Sequence, residues 1–201
     1  MKYEELAERG AALVALTGPM GGGKSAAGRA FARFGARVID ADALSREILF
    51  GDADAKARIR EIAGGECFGP SGVPVPRKIA AAVFSSPEKL AACEAVLHPK
   101  IEAAWRARVA ERGVTVVEIP LLFEKSLEKG FDICATLFCS EPIRISRLAG
   151  RGFSPAQIAA RDSFQMPQAE KAARADAVFF NDGSVEFLEE QIRIFLSRFR
   201  K

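Results

Sequence analysis

With 201 residues, 49% of them hydrophobic, the chain can bury one α/β core with room for a small inserted lobe, but not two full domains. A net charge of +3 is too mild to mark a nucleic-acid binder, although a slight positive excess suits phosphorylated small molecules. Cys67, Cys93, Cys134 and Cys139 lack the C-x-x-C spacings of zinc or redox sites, and no apolar run approaches membrane-spanning length, so the expectation is a cytosolic protein with reduced thiols, no signal peptide and no membrane contact.

Residues 3–9 read as a helical extension to which no function attaches. Residues 11–17 form the short apolar run expected of a buried parallel strand. The stretch that follows reads Gly18-Pro19-Met20-Gly21-Gly22-Gly23-Lys24-Ser25 and fits G-x-x-x-x-G-K-[ST], the pattern of a phosphate-binding loop. Wrapping a chain round phosphates requires successive amides to point inward, which takes backbone angles and close approach that glycine accepts cheaply. In such a loop the lysine bridges the outer phosphates, the serine hydroxyl is a ligand for Mg²⁺, and the helix opening near Lys24 adds its positive dipole end. That helix is expected over 26–34, stopped by Gly35.

A second strand over 36–39 ends in Asp40-Ala41-Asp42. Carboxylates at the C-terminal end of a strand lie where α/β sheets bind ligands. One can hold the Mg²⁺ shell while the other accepts the proton of an attacking hydroxyl, or either can cap the helix running through 44–49. A helix over 52–65 and turns over 66–76 come next, then helices to residue 112, which Pro87 and Pro99 should break. This excursion, residues 52–112, is longer than a crossover needs and reads as a lobe for the acceptor. Its lone histidine, His98, reads as packed or capping, and Trp105 as core.

Residues 114–119 make a third strand, whose terminal Glu118 can organise a metal through water or pair with Lys24. The charged stretch 124–129 reads as a solvated face. A fourth strand covers 131–139. Arg144, Arg147, Arg151 and Arg161 then fall in a basic segment with glycine turns, a candidate lid over 144–165; on one continuous helix Arg147 and Arg151 would share a face. A fifth strand over 175–181 leads into a last helix reaching 199.

Five strands separated by helices behind a phosphate loop indicate an α/β P-loop fold of the nucleoside-monophosphate-kinase type: a parallel five-stranded sheet flanked by helices, with a core of about 11–51 and 113–201. Thr17 through Ser25, Ile39-Asp40-Ala41-Asp42, Leu97-His98-Pro99-Lys100-Ile101, Pro120-Leu121-Leu122-Phe123-Glu124, Arg161, Gln165-Met166, Lys171, Ala175-Asp176 and Asn181 together resemble the dephospho-CoA kinases over nearly the whole chain. The resemblance implies phosphoryl transfer from ATP to the ribose 3′-hydroxyl of dephospho-CoA. It implies that Gly18, Met20, Gly21, Gly22, Gly23 and Lys24 hold the phosphates, that Ser25 and Asp40 serve Mg²⁺, and that Asp42 takes the hydroxyl proton. Arg147 and Arg151 would close from the lid, His98 and Arg161 would contact substrate, and Asn181 would lie near adenine.

Three departures stand out. Pro19 and Met20 replace the family's second glycine and isoleucine, which stiffens the start of the loop. Glu118 stands where the family commonly has Asp, and Arg77 is one residue closer to Val83-Phe84 than usual. Another small-molecule kinase of this fold is the near alternative. A nucleotide switch is the distant one, since no Asn-Lys-x-Asp and no Asp-x-x-Gly after the third strand is present. Oligomeric state stays open.

Overall fold

The computed structural model describes residues 2–199. After α1 (Lys2–Arg9), strand β1 (Ala11–Thr17) leads through the glycine-rich loop into α2 (Lys24–Arg33), and β2 (Arg37–Asp40) follows. Four helices come next: α3 (Ala41–Gly51), α4 (Ala53–Ala63), α5 (Pro76–Phe84) and α6 (Pro87–Arg106). The chain then runs β3 (Gly113–Glu118), β4 (Ile133–Phe138), α7 (Glu141–Ala149), α8 (Pro155–Asp162), α9 (Gln168–Arg174), β5 (Ala177–Phe180) and α10 (Val185–Ser197). These elements form two compact units, one running up to Ile39 and resuming at Val109, the other spanning Asp40–Arg108.

The first unit is built on a parallel sheet in the order β2-β3-β1-β4-β5. β1 lies at its centre, pairing with β3 from Ala11↔Gly113 to Leu16↔Glu118 and with β4 from Val14↔Ile133 to Thr17↔Thr136. Burial on both sides explains why β1 is apolar without alternation. Alternate residues Ala12, Val14, Leu16, Val114, Val116, Ile133, Ala135 and Leu137 face a core completed by α1, α2 and α10. Phe31, Phe179 and Phe195 meet there edge to face, with centroids 5.3–6.0 Å apart. In a parallel sheet all strands end on one edge, and β1 ends directly at the phosphate loop.

The second unit is helical. Leu49, Ala55, Ile59, Ile79, Val83 and Val96 lie in its core, which Cys67 and Cys93 share. α3, α4 and α6 start on side-chain caps: Asp40 Oδ1 accepts the Asp42 and Ala43 amides, Asp52 Oδ1 the Ala55 amide, and Ser86 Oγ the Lys89 amide. The Ala55 amide and the Lys100 ammonium hold the Asp52 carboxyl below the usual range.

Three expectations need correction here. Pro87 opens α6 as expected, but Pro99 does not break it: the helix runs on to Arg106. Packing of α6 against α3, α4 and α5 outweighs the one hydrogen bond that Pro99 cannot donate. Gly150 caps α7, so Arg151 lies beyond the helix and shares no helical face with Arg147. The stretch 124–129 is not wholly a solvated face, because the Glu124 side chain is 13% exposed and ion-paired. Trp105 is core, as read, and all four cysteines are free and buried.

Candidate active site

The phosphate loop is held by its neighbours rather than by its own side chains. Thr17 Oγ1, one residue before it, donates to the Pro120 carbonyl at 3.0 Å, tying the end of β1 to the turn after β3. Gly23 has φ +98°, and a Cβ there would lie 2.1 Å from Asn181 Nδ2, so glycine is required twice over. That Asn181 amide, itself buried, donates to the Gly22 carbonyl at 2.8 Å. Asn181 therefore braces the loop from beneath. Lys24 curls back over the loop, its Nζ 2.8 Å from the Gly18 carbonyl and 3.5 Å from that of Pro19. Ser25 sits exposed in the first turn of α2.

Met20, at the outer arm, is where the candidate lid meets the loop. Its amide donates to Gln165 Oε1 at 3.1 Å, its carbonyl lies 3.5 Å from Arg144 Nη1, and its sulfur lies 3.7 Å from Arg161 Nη1. A Cβ on Gly21 would come within 2.8 Å of Leu148, so α7 packs directly on the loop. Arg144 is buried and grips Asp162 through two bonds of 2.7 and 2.8 Å, joining α7 to the end of α8. Its charge is thus neutralised by protein. Arg161 stacks on Phe153 at 4.5 Å. Arg147 points to Cys139 Sγ at 3.4 Å, near Asp182, whose carboxyl is held low first by the Ser140 amide and in smaller part by Arg147. Arg151 is exposed.

Glu118 closes the sheet side. Its Oε1 would stand 2.0 Å from a Cβ at Gly28, so the carboxylate lies against α2 in the room that glycine leaves.

The structure thus brings the loop, Lys24, Ser25, Asn181, Arg147 and Arg161 into the sheet unit. Asp40, Asp42 and His98 belong to the helical unit. Asp40 and Asp42 are exposed at the start of α3, where Asp40 does act as a cap, and His98 is half-buried on α6 directly before Pro99. Sequence reasoning gave no role to Gln165, to the Arg144–Asp162 clasp or to Gly28. A glycine inside an expected helix was the only pointer to the last.

The chain is similar to known proteins over most of its length. A family model described as dephospho-CoA kinase matches residues 12–186. A dephospho-CoA kinase of Chlorobaculum tepidum is 32% identical, covering 90% of this chain and 91% of its own. The crystal structure of TT1252 from Thermus thermophilus superposes with a TM-score of 0.81 at 32% identity, covering 92% of this chain and 96% of that one. A shikimate kinase from Acinetobacter baumannii, 13% identical with a TM-score of 0.53 and covering 95% of this chain and 96% of its own, shares the fold alone. The match from the first strand to the start of α10 at this level of identity places the chain in the dephospho-CoA kinase family.

Proposed function

We propose that the chain transfers the γ-phosphoryl group of ATP to the ribose 3′-hydroxyl of dephospho-CoA, giving coenzyme A and ADP. The observation that carries this reading is the single family match over residues 12–186, which takes in the phosphate loop, Asp40-Ala41-Asp42, His98-Pro99 and Asn181 together. In the reaction the 3′-oxygen attacks phosphorus, the bond to the ADP oxygen breaks, and the hydroxyl proton leaves. We assign that proton to Asp42. Lys24 and the loop amides neutralise the phosphate oxygens, and Arg147, Arg151 and Arg161 add charge from the lid. His98 contacts the acceptor from α6.

A magnesium ion fits the residues present. Among the described residues no group of three or more His, Cys, Asp or Glu could hold a metal. What the chain does offer is hard oxygen donors, the exposed Ser25 hydroxyl and the Asp40 carboxylate, suited to an ion that takes its remaining ligands from phosphates and water. Such an ion neutralises charge on the phosphoryl oxygens. Asp40 Oδ1 already accepts two amides, so Oδ2 is the atom we assign to it. Among the described residues no helix is long and apolar enough to cross a membrane, and we place the enzyme in the cytoplasm with small-molecule substrates only.

The test is ATP consumption with Mg²⁺ against dephospho-CoA, adenosine, AMP, shikimate and no acceptor. Turnover confined to dephospho-CoA, yielding coenzyme A, is expected. Turnover with shikimate or adenosine instead would leave the fold standing and replace the acceptor.

A further inference from the structure

Lys171, on α9, has no solvent exposure, and its ammonium lies 2.8 Å from Glu124 Oε1 and 3.0 Å from the Pro120 carbonyl. Glu124 Oε2 is buried with no hydrogen-bond partner among the described residues, so the carboxylate is compensated entirely through Oε1. Burying two ions costs desolvation of both, and well-packed apolar residues often serve stability as well or better. What else the pair holds therefore decides its use.

The same Oε1 accepts the Met166 amide at 2.8 Å. The preceding residue, Gln165, presents its side-chain oxygen to the Met20 amide, and Pro167 restricts the backbone just after. The Pro120 carbonyl gripped by Lys171 is also gripped by Thr17, directly before the loop. One buried cation thus reaches the phosphate loop at its origin through Pro120 and at its outer arm through Glu124, Met166 and Gln165.

We infer that Lys171 and Glu124 are positioning residues for phosphoryl transfer: by fixing the Met166 amide they hold Gln165 on the Met20 amide, and so set the outer arm of the phosphate loop where the lid returns to the sheet. With that amide committed to Gln165 and the Gly22 amide to the Pro19 carbonyl at 3.0 Å, the arm is ordered before nucleotide arrives. The inference rests on the ATP-dependent reading above, so its deciding measurement needs no turnover.

That measurement is amide hydrogen exchange, resolved by NMR on the full nucleotide-free chain. Lys171→Met leaves Glu124 buried and unpaired, and exchange at Met166 and Met20 should rise by about tenfold or more while β1 and β4 keep their protection. Lys171→Met combined with Glu124→Gln keeps an uncharged oxygen for Met166 and should recover most of that protection. The KM for ATP should follow the same order with a smaller change in kcat. Gln165→Met is the second route where Lys171→Met fails to fold, and it should raise exchange at Met20 while sparing Met166. Unchanged Met20 exchange in Gln165→Met, no recovery in the double variant, or a rise spread evenly over the sheet would overturn the inference and leave a merely structural ion pair. Altered exchange at Met20 without dephospho-CoA turnover in the parent chain would instead count against the proposed reaction alone.

Discussion

Asp42 is exposed in the first turn of α3, with its own amide bonded to Asp40 Oδ1 at 2.8 Å. Asp42→Asn preserves shape and removes the carboxylate proposed to accept the proton. A positioned base is worth about 10²–10⁴ in rate, so kcat should fall by about 10² or more while ATP affinity changes no more than a few-fold. Steady-state kinetics with a binding titration checks this, and undiminished kcat would remove Asp42 from the mechanism. Asn181 calls for a different comparison. The family resemblance puts it near adenine, yet its side-chain amide holds the Gly22 carbonyl. Asn181→Ala leaves that buried carbonyl unpaired, at about 1–3 kcal/mol, and loosens the loop around phosphate whatever base is attached. ATP and inorganic tripolyphosphate should therefore weaken by the same factor, about tenfold. A loss seen with ATP only would return Asn181 to base recognition.

At the scale of elements, the parts that were legible in the sequence are those with local causes. β1 could be read because a strand buried on both faces is apolar throughout, and the phosphate loop because its backbone demands glycine at fixed spacing. Elements governed by tertiary contacts were not legible. Nothing local distinguishes Glu124 from an ordinary surface charge; its partner Lys171 lies 47 positions on, across the sheet's end. The helix break at Gly150 separates Arg147 from Arg151 even though their spacing suited a single helix. Pro99 was misread for the same reason, since α6 is held through it by packing. A proline inside a helix costs about 3 kcal/mol, and its place beside His98 points to use rather than stability. Pro99→Ala should raise unfolding free energy by about 1–3 kcal/mol and raise the KM for dephospho-CoA more than that for ATP. Urea titration with substrate kinetics tests both halves. A more stable variant with unaltered acceptor KM would deny Pro99 a role.

Among the described residues hydrophobic cores form round the sheet and among α3 to α6, and each unit carries two buried thiols: Cys134 and Cys139 in the first, Cys67 and Cys93, both within its core, in the second. Burial, then the Asp176 carboxylate, pushes the Cys134 thiol up to about 11, and burial likewise raises Cys93 and Cys139. A raised thiol pKa means that the native state keeps a proton the unfolded chain gives up. The resulting stability is complete below the unfolded pKa, about 8.5, and is lost as pH climbs towards 11. At pH 8 the folded protein should therefore resist alkylation, because burial hides the thiols and disfavours the reactive thiolate. Labelling then reports opening of each unit separately. The sheet unit has a central strand paired on both sides, whereas the second unit depends on helix packing alone. In rising urea, Cys67 and Cys93 should be labelled at lower denaturant than Cys134 and Cys139, as read by mass spectrometry of the modified peptides. Simultaneous labelling of all four would mean that the two units unfold in a single cooperative transition.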